Sequence, residues 1–192
     1  MAGCYSDAVK TGQTFAAQTP ASPRLPRMWL ISDARNDARL ETALARMPRG
    51  SGLIYRHYHQ PPAQRLARFR RLARLARKRG IVIAWAGLPR DARRADADAS
   101  YGPPLAPGGL PRLATVHSWR ELGAAHRTGA SLVLISPVFA TRSHPGAQVL
   151  GEVRARLLAR AACVPVIFLG GMTCARARRL APHGWAAIDG LS

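Results

Sequence analysis

Lysine is almost absent from this 192-residue chain: Lys10 and Lys78 are the only two among 29 basic residues, and just 10 acidic residues oppose them. A formal charge of +19 is compatible with nucleic acid, an anionic surface or an acidic small substrate. The excess is nearly all arginine and comes with abundant alanine, as a GC-rich coding background also produces, so a nucleic-acid partner ranks last among the readings. Cysteine is scarce too. Cys4, Cys163 and Cys174 are odd in number and form no CxxC pair, giving no sign of a disulfide framework or zinc knuckle and pointing to a reducing cytoplasm. Uninterrupted apolar runs of the roughly 18 to 20 residues needed to cross a bilayer are missing, so a soluble protein with no membrane partner is expected. Residues 1–26, rich in Ala, Thr, Ser, Gln and Pro, lack a basic start and an apolar core and read as a flexible extension rather than a secretion signal.

What remains is a rhythm. With 47% hydrophobic residues the chain can bury one domain's core, expected over residues 27–192. Short runs rich in Val, Ile and Leu recur at Met28 to Ser32, Leu53 to Arg56, Ile81 to Trp85, Leu132 to Ile135 and Val164 to Leu169, with weaker candidates at Ala97 to Ser100, Leu113 to His117 and Trp185 to Ile188. Helical periodicity separates several of them. Ala63 to Arg79 places Leu66, Phe69, Leu72, Ala73 and Ala76 on one face and Arg70, Arg71, Arg74 and Lys78 on the other, as an outer helix requires. Ser118-Trp119-Arg120-Glu121 fits a capping box, Gly129 would stop that helix, and Thr173 can cap a later one. About eight strands alternating with helices predict an α/β fold, a (β/α)8 TIM barrel. The rival doubly wound sheet lacks its fingerprint, since no G-x-G-x-x-G follows the first strand.

In a parallel barrel the reactive side chains project from the C-terminal ends of the strands. The polar tails there include Ser32-Asp33, Arg56-His57-Tyr58-His59, Thr115-Val116-His117-Ser118, Thr141-Arg142-Ser143-His144 and Gly170-Gly171. Glycines between a strand and a helix start let backbone approach a phosphate, though an ordinary tight turn uses the same pair. His57 and His59 read as mouth residues, because no third ligand joins them in a metal site.

The segment from Ile135 through Ser136-Pro137-Val138-Phe139-Ala140-Thr141 to Gly146, then Leu150-Gly151, resembles the G-P-V-F-x-T-x-T-K-x-G…L-G segment of the thiamine phosphate synthase and TenI family. Val164 to Thr173 is similar to that family's I-P-V-x-A-I-G-G-[IM]-T strand, Trp29 to Asp33 to its opening Y-L-[IV]-[ST]-D, and Thr115 to Ser118 to its S-x-H-S. The resemblance implies a thiamine-biosynthesis enzyme binding a small phosphorylated thiazole. It would either join that thiazole to an aminopyrimidine diphosphate, as a transferase, or isomerise the ring toward its aromatic form, as a tautomerase. It also implies a site lined by Arg56, Thr115, His117, Thr141, Ser143, Gly170 and Gly171, with His117 and Arg56 as the catalytic pair.

Coupling expels pyrophosphate and in this family implies Mg²⁺ held by carboxylates. Those ligands are missing from the sequence. The family's Gln and Lys beside Arg56 correspond to Ile54 and Tyr58, its Asn-Asp pair after the third strand to Trp85-Ala86, and its L-G-Q-x-D to Tyr101-Gly102-Pro103-Pro104. Its phosphate-loop lysine corresponds to His144, and Asp189 stands where Ser is usual. No metal ligand is therefore assigned. An imidazole such as His117 exchanges protons near neutrality, which suits tautomerisation without metal. A noncatalytic, degenerate barrel that binds a phosphorylated thiazole or thiamine compound is the alternative. Because Ser192 follows the eighth strand closely, the final barrel helix is expected to be lacking, its place covered by Tyr5 to Phe15 or by a second subunit.

Overall fold

The structure, a computed structural model, describes residues 25–105, 108–141, 146, 148–180 and 182–188. Eight parallel strands close into a barrel in the order of the chain. They are β1 Met28–Ile31, β2 Gly52–Tyr55, β3 Val82–Ala86, β4 Ala99–Gly102, β5 Arg112–Val116, β6 Leu132–Ile135, β7 Val166–Phe168 and β8 Gly184–Ala187. Outside the ring lie α1 Leu40–Arg46, preceded by a 3-10 turn at Asp37–Arg39, then α2 Pro62–Lys78, α3 Pro89–Arg94, α4 Trp119–Arg127, α5 Gly151–Ala161 and α6 Cys174–Leu180. Among the described residues no helix lies between β4 and β5 or after β8. None is long and apolar enough to cross a membrane.

All five strong strand candidates and all three weak ones are strands, with ends shifted where local chemistry intervenes. β7 starts at Val166 rather than Val164, after Pro165, whose carbonyl instead accepts from Val133 N–H at 3.0 Å. β4 starts at Ala99 because Ala97 N–H still bonds back to Ala92 O, at 3.0 Å, and Asp96 takes φ 57° to make that turn. The Asp98 carboxylate then accepts from Ile83 N–H at 2.8 Å.

Strand alternation divides the core in two. Trp29, Ile31, Ile54, Ala84, Leu113 and Ile167 fill the barrel, while Leu30, Leu53, Tyr55, Ile83 and Trp85 face the helices. The bulk of Trp29 is matched by Gly52 on the neighbouring strand, where a Cβ would stand 2.2 Å from the indole. α2 buries Phe69, Leu72, Ala73 and Ala76 as its periodicity predicts, with Leu66 packed at the margin of the same cluster. Asn36, 1% exposed, closes the seam: its side-chain amide donates to Ile31 O on β1 and to Ile188 O beyond β8, both at 3.0 Å.

Candidate functional site

At the C-terminal ends of the strands a cavity of about 420 Å³ opens. Arg56, Thr115, His117, Thr141 and Gly170 all line it, although they come from the second, fifth, sixth and seventh strand ends. Gly171 is not on the lining, and Ser143 lies outside the described residues, as do Arg142, His144 and Asp189. Tyr58, Tyr101, Ser136, Leu169 and Ile188 complete the wall. Larger hollows of about 750 Å³ and 820 Å³ lie between α5 and α6 and at the opposite barrel end. The mouth is the better site because strand ends from around the ring converge there.

The His117 ring has a defined orientation. Its Nδ1 lies 2.6 Å from the Ser136 carbonyl oxygen and 3.4 Å from the Ser136 hydroxyl. A carbonyl can only accept, so Nδ1 carries the hydrogen, and the neutral ring has its lone pair on Nε2. The backbone is held as well. Ser118 Oγ accepts from Glu121 N–H at 3.2 Å, and the Glu121 carboxylate accepts from His117 N–H at 2.6 Å, so the predicted capping box forms with its return bond one residue earlier than usual. Beside it Thr115 Oγ donates to Gly102 O at 3.3 Å.

The remainder of the wall combines the Arg56 cation and two tyrosines with apolar Leu169 and Ile188. Burial pushes the Tyr101 phenol up to about 12, against the lowering effect of the nearby Arg56 guanidinium, so it faces the cavity as a neutral donor. Tyr58, which stands within the tail Arg56 to His59, and Tyr101 line the cavity without having been assigned to the site from the sequence. Period-two alternation could have found them, since Tyr58 follows Arg56 and Tyr101 follows Ala99 on inward-facing positions. No carboxylate is among the described residues that line it. Trp85 turns outward and Ala86 inward at the end of β3, and nothing acidic stands at Tyr101 to Pro104. Asp37 and Glu41 are engaged by Arg68. Burial works against ionisation of Asp33, but its hydrogen bonds from Arg35 outweigh this and hold the carboxyl below its ordinary range. Magnesium needs hard oxygen ligands, usually carboxylates. The described residues do not fit it, and they hold no cluster of three groups suited to any metal.

One expectation changes in the folded protein. His57 is not a mouth residue: it is 1% exposed and lies on the outer face of β2, stacked on Tyr55 with ring centroids 4.5 Å apart and planes 6° from parallel. The reason is alternation, because Arg56 points inward and its neighbour must point out. The glycine pair also answers to packing. A Cβ on Gly170, at φ 94°, would sit 2.7 Å from Pro137 Cα, and one on Gly171, at φ 60°, would sit 2.6 Å from Ala140 O. The loop after β7 thus presses against the loop after β6, and only glycine permits that approach. Thr173 caps α6 as expected, accepting from Arg176 N–H at 3.3 Å.

Comparison with known proteins agrees with this architecture. The family model described as thiamine monophosphate synthase matches residues 114–191, the half of the barrel that carries His117 and the glycine pair. A protein of Aquifex aeolicus described as putative thiamine-phosphate synthase 2 is 32% identical over 78 residues, which are 41% of this chain and 42% of that protein. Among solved structures, the thiamine phosphate pyrophosphorylase from Pyrococcus furiosus superposes with a TM-score of 0.73 over 85% of each chain at 23% identity. The YdjI aldolase of Escherichia coli K12 superposes at 0.58 over 85% of this chain and 74% of its own, at 13% identity, which is likeness of fold alone.

Proposed function

Taking as premise that residues 114–191 match the thiamine monophosphate synthase family and sit in a closed eight-stranded barrel, we propose that the chain is a thiamine-pathway enzyme acting on thiazole phosphate. Ring tautomerisation is the chemistry that this wall supports best. The observation that carries it is His117, whose Nδ1–H is committed to Ser136 O at 2.6 Å, leaving Nε2 as the base at the cavity. In that position Nε2 accepts a proton from a saturated carbon of the non-aromatic ring. The imidazolium then returns a proton where the aromatic system is completed, so no net proton or electron is gained or lost. Arg56 supplies the cation for the phosphate, Thr115 and Thr141 supply hydroxyls, and Gly170 leaves room at the lip. Tyr58 and Tyr101 give the planar ring two aromatic neighbours. A volume of about 420 Å³ suits one small ligand, within the range of about 300–1,000 Å³ usual for such sites.

Coupling to an aminopyrimidine diphosphate is disfavoured by the lack of carboxylates among the described lining residues, and the same lack gives the noncatalytic binding role its support. The cytoplasm is the setting we assign, from the sparse, unpaired cysteines, of which Cys163 and Cys174 are free and exposed.

The deciding assay incubates the protein with the non-aromatic thiazole phosphate tautomer, and separately with aromatic thiazole phosphate, aminopyrimidine diphosphate and Mg²⁺. Conversion of the tautomer is expected, with His117→Ala abolishing turnover while thiazole phosphate binding survives. Efficient Mg²⁺-dependent formation of thiamine phosphate would overturn the assignment. Binding without any turnover would establish the noncatalytic role instead.

A further inference from the structure

Behind the cavity wall, Ser32, His57 and Asp37 are arranged in a line that the proposed chemistry does not use. Ser32 is 0% and His57 1% exposed. Ser32 Oγ lies 2.7 Å from His57 Nδ1, and on the far side of the ring Nε2 lies 3.0 Å from Asp37 Oδ1. That last contact is off the ideal N–H axis, since Nε2 has no well-aligned hydrogen-bond partner, so the carboxylate acts on the ring electrostatically rather than through an aligned bond. Arg68 fixes Asp37 in turn, with Nε 2.9 Å from Oδ1.

The near end of the line is the informative one. Ser32 N–H continues the β1–β2 ladder by donating to Ile54 O at 2.8 Å. In a parallel ladder the next bond would run from Arg56 N–H to the Ser32 carbonyl. Arg56 N–H is caught instead by the Ser32 hydroxyl, at 2.8 Å. A serine hydroxyl has one hydrogen, and its partner Nδ1 can take it only when the ring's own hydrogen is on Nε2, toward Asp37. Each member thereby sets the direction of the next. With the ring hydrogen drawn to Nε2 by the Asp37 carboxylate, Nδ1 accepts the serine hydrogen and turns it away from the strand, so that a lone pair of Ser32 Oγ faces Arg56 N–H.

We propose that Ser32, His57 and Asp37 are positioning residues that aim Arg56, the cation of the cavity, through its backbone. The three side-chain types also occur together in nucleophilic hydrolases, where the serine attacks substrate. Here Ser32 has no exposed surface and is absent from the cavity lining, so it cannot serve as a nucleophile. Desolvation lowers the tendency of His57 to protonate, against the pull of Asp37, and His59 and Arg68 add to the lowering. The neutral ring that the relay requires is therefore favoured.

This inference rests on the reading of Arg56 as the phosphate contact, so the test separates the two. Binding of aromatic thiazole phosphate is measured by calorimetry for the full chain and for Ser32→Ala, Arg56→Ala and the double variant. Loss of one aiming hydrogen bond is expected to weaken binding about fivefold to tenfold in Ser32→Ala. In the Arg56→Ala background the same change is expected to cost nothing, because the group being aimed is gone. Equal losses in both backgrounds would overturn the proposal in favour of a general structural role. Should Ser32→Ala fail to fold, Asp37→Ala, at a half-exposed position, enters the same cycle. If Arg56→Ala alone leaves binding unchanged, the phosphate-contact reading fails, and long-range ¹H–¹⁵N correlation of the imidazole judges the relay on its own. The Nε2–H tautomer in the unaltered protein supports it and the Nδ1–H tautomer overturns it. Covalent labelling of Ser32 by a sulfonyl fluoride would likewise overturn it, by showing a reachable nucleophile.

Discussion

Replacing Gly170 by alanine tests the packing that shapes the lip of the cavity. Gly170 has φ 94°, and an added Cβ would lie 2.7 Å from both Pro137 Cα and Pro137 Cβ and 3.1 Å from Val138 N. Left-handed backbone costs an L-residue about 1–2 kcal/mol. Carbon atoms attract best at roughly 3.5–4.0 Å, so the overlap must be relieved by moving the loop, which adds about 1–3 kcal/mol. The loop does not move freely, because Gly170 O accepts from Phe139 N–H at 3.1 Å and Leu169 O from Val138 N–H at 2.9 Å. Gly50 provides the control: its φ is 77°, yet a Cβ there would meet nothing within 4 Å. Gly50→Ala should therefore show the backbone cost alone, about 1–2 kcal/mol, against about 2–5 kcal/mol for Gly170→Ala. At about 2–4 °C per kcal/mol for a chain of this size, melting followed by circular dichroism should fall by a few degrees for the control and by on the order of 10 °C for Gly170→Ala. Thiazole phosphate affinity should drop only in Gly170→Ala. Equal melting shifts for the two variants would refute the argument from close approach.

The buried His57 predicts a pH dependence whose sign follows from its lowered folded-state pKa. A histidine that resists protonation when folded leaves the unfolded chain binding more protons below the ordinary value of 6.5, so its contribution is intact above that pH and is lost as pH falls through the depressed folded value. Urea unfolding at stepped pH should show this slope, and His57→Phe, which keeps the ring stacked on Tyr55, should flatten it; an unchanged slope would contradict the assignment. Glu121→Ala removes the acceptor of His117 N–H and half of the capping box. It should cost about 0.5–2 kcal/mol in unfolding measurements and, if His117 transfers the proton as proposed, lower kcat more than it raises KM for the tautomer, because it disturbs that residue rather than Arg56.

Much of the barrel is legible in the sequence because its signals are local. β6 coincides with the apolar run Leu132 to Ile135, α2 buries the face that its spacing predicts, and Ser118, Gly129 and Thr173 act as cap, stop and cap where their chemistry places them. Strand order follows as well, since parallel neighbours joined by short crossovers pair in sequence. The site is legible only in outline. Arg56, Thr115, His117, Thr141 and Gly170 stand at strand tails and come together at one cavity, but composition cannot say which way a tail residue turns. His57 and Arg56 are adjacent in the chain and end on opposite sides of the sheet, one buried against Ser32 and the other at the cavity wall. Gly170 and Gly171 are equally permissive in sequence, yet one lines the cavity and the other is filled by Ala140 O and Phe139.

By itself, then, the sequence determined the parallel barrel, the strand ends where chemistry gathers and the lack of carboxylates at the third and fourth of them, because periodicity, capping and composition act over a few residues at a time. Only the tertiary structure decided the orientation of the His117 ring, the contacts that link Asp37, His57 and Ser32 to the Arg56 backbone, and the tight seat of Gly170. Each of these depends on atoms brought within about 3 Å from distant parts of the chain, at which range a hydrogen bond or a clash replaces a mere tendency.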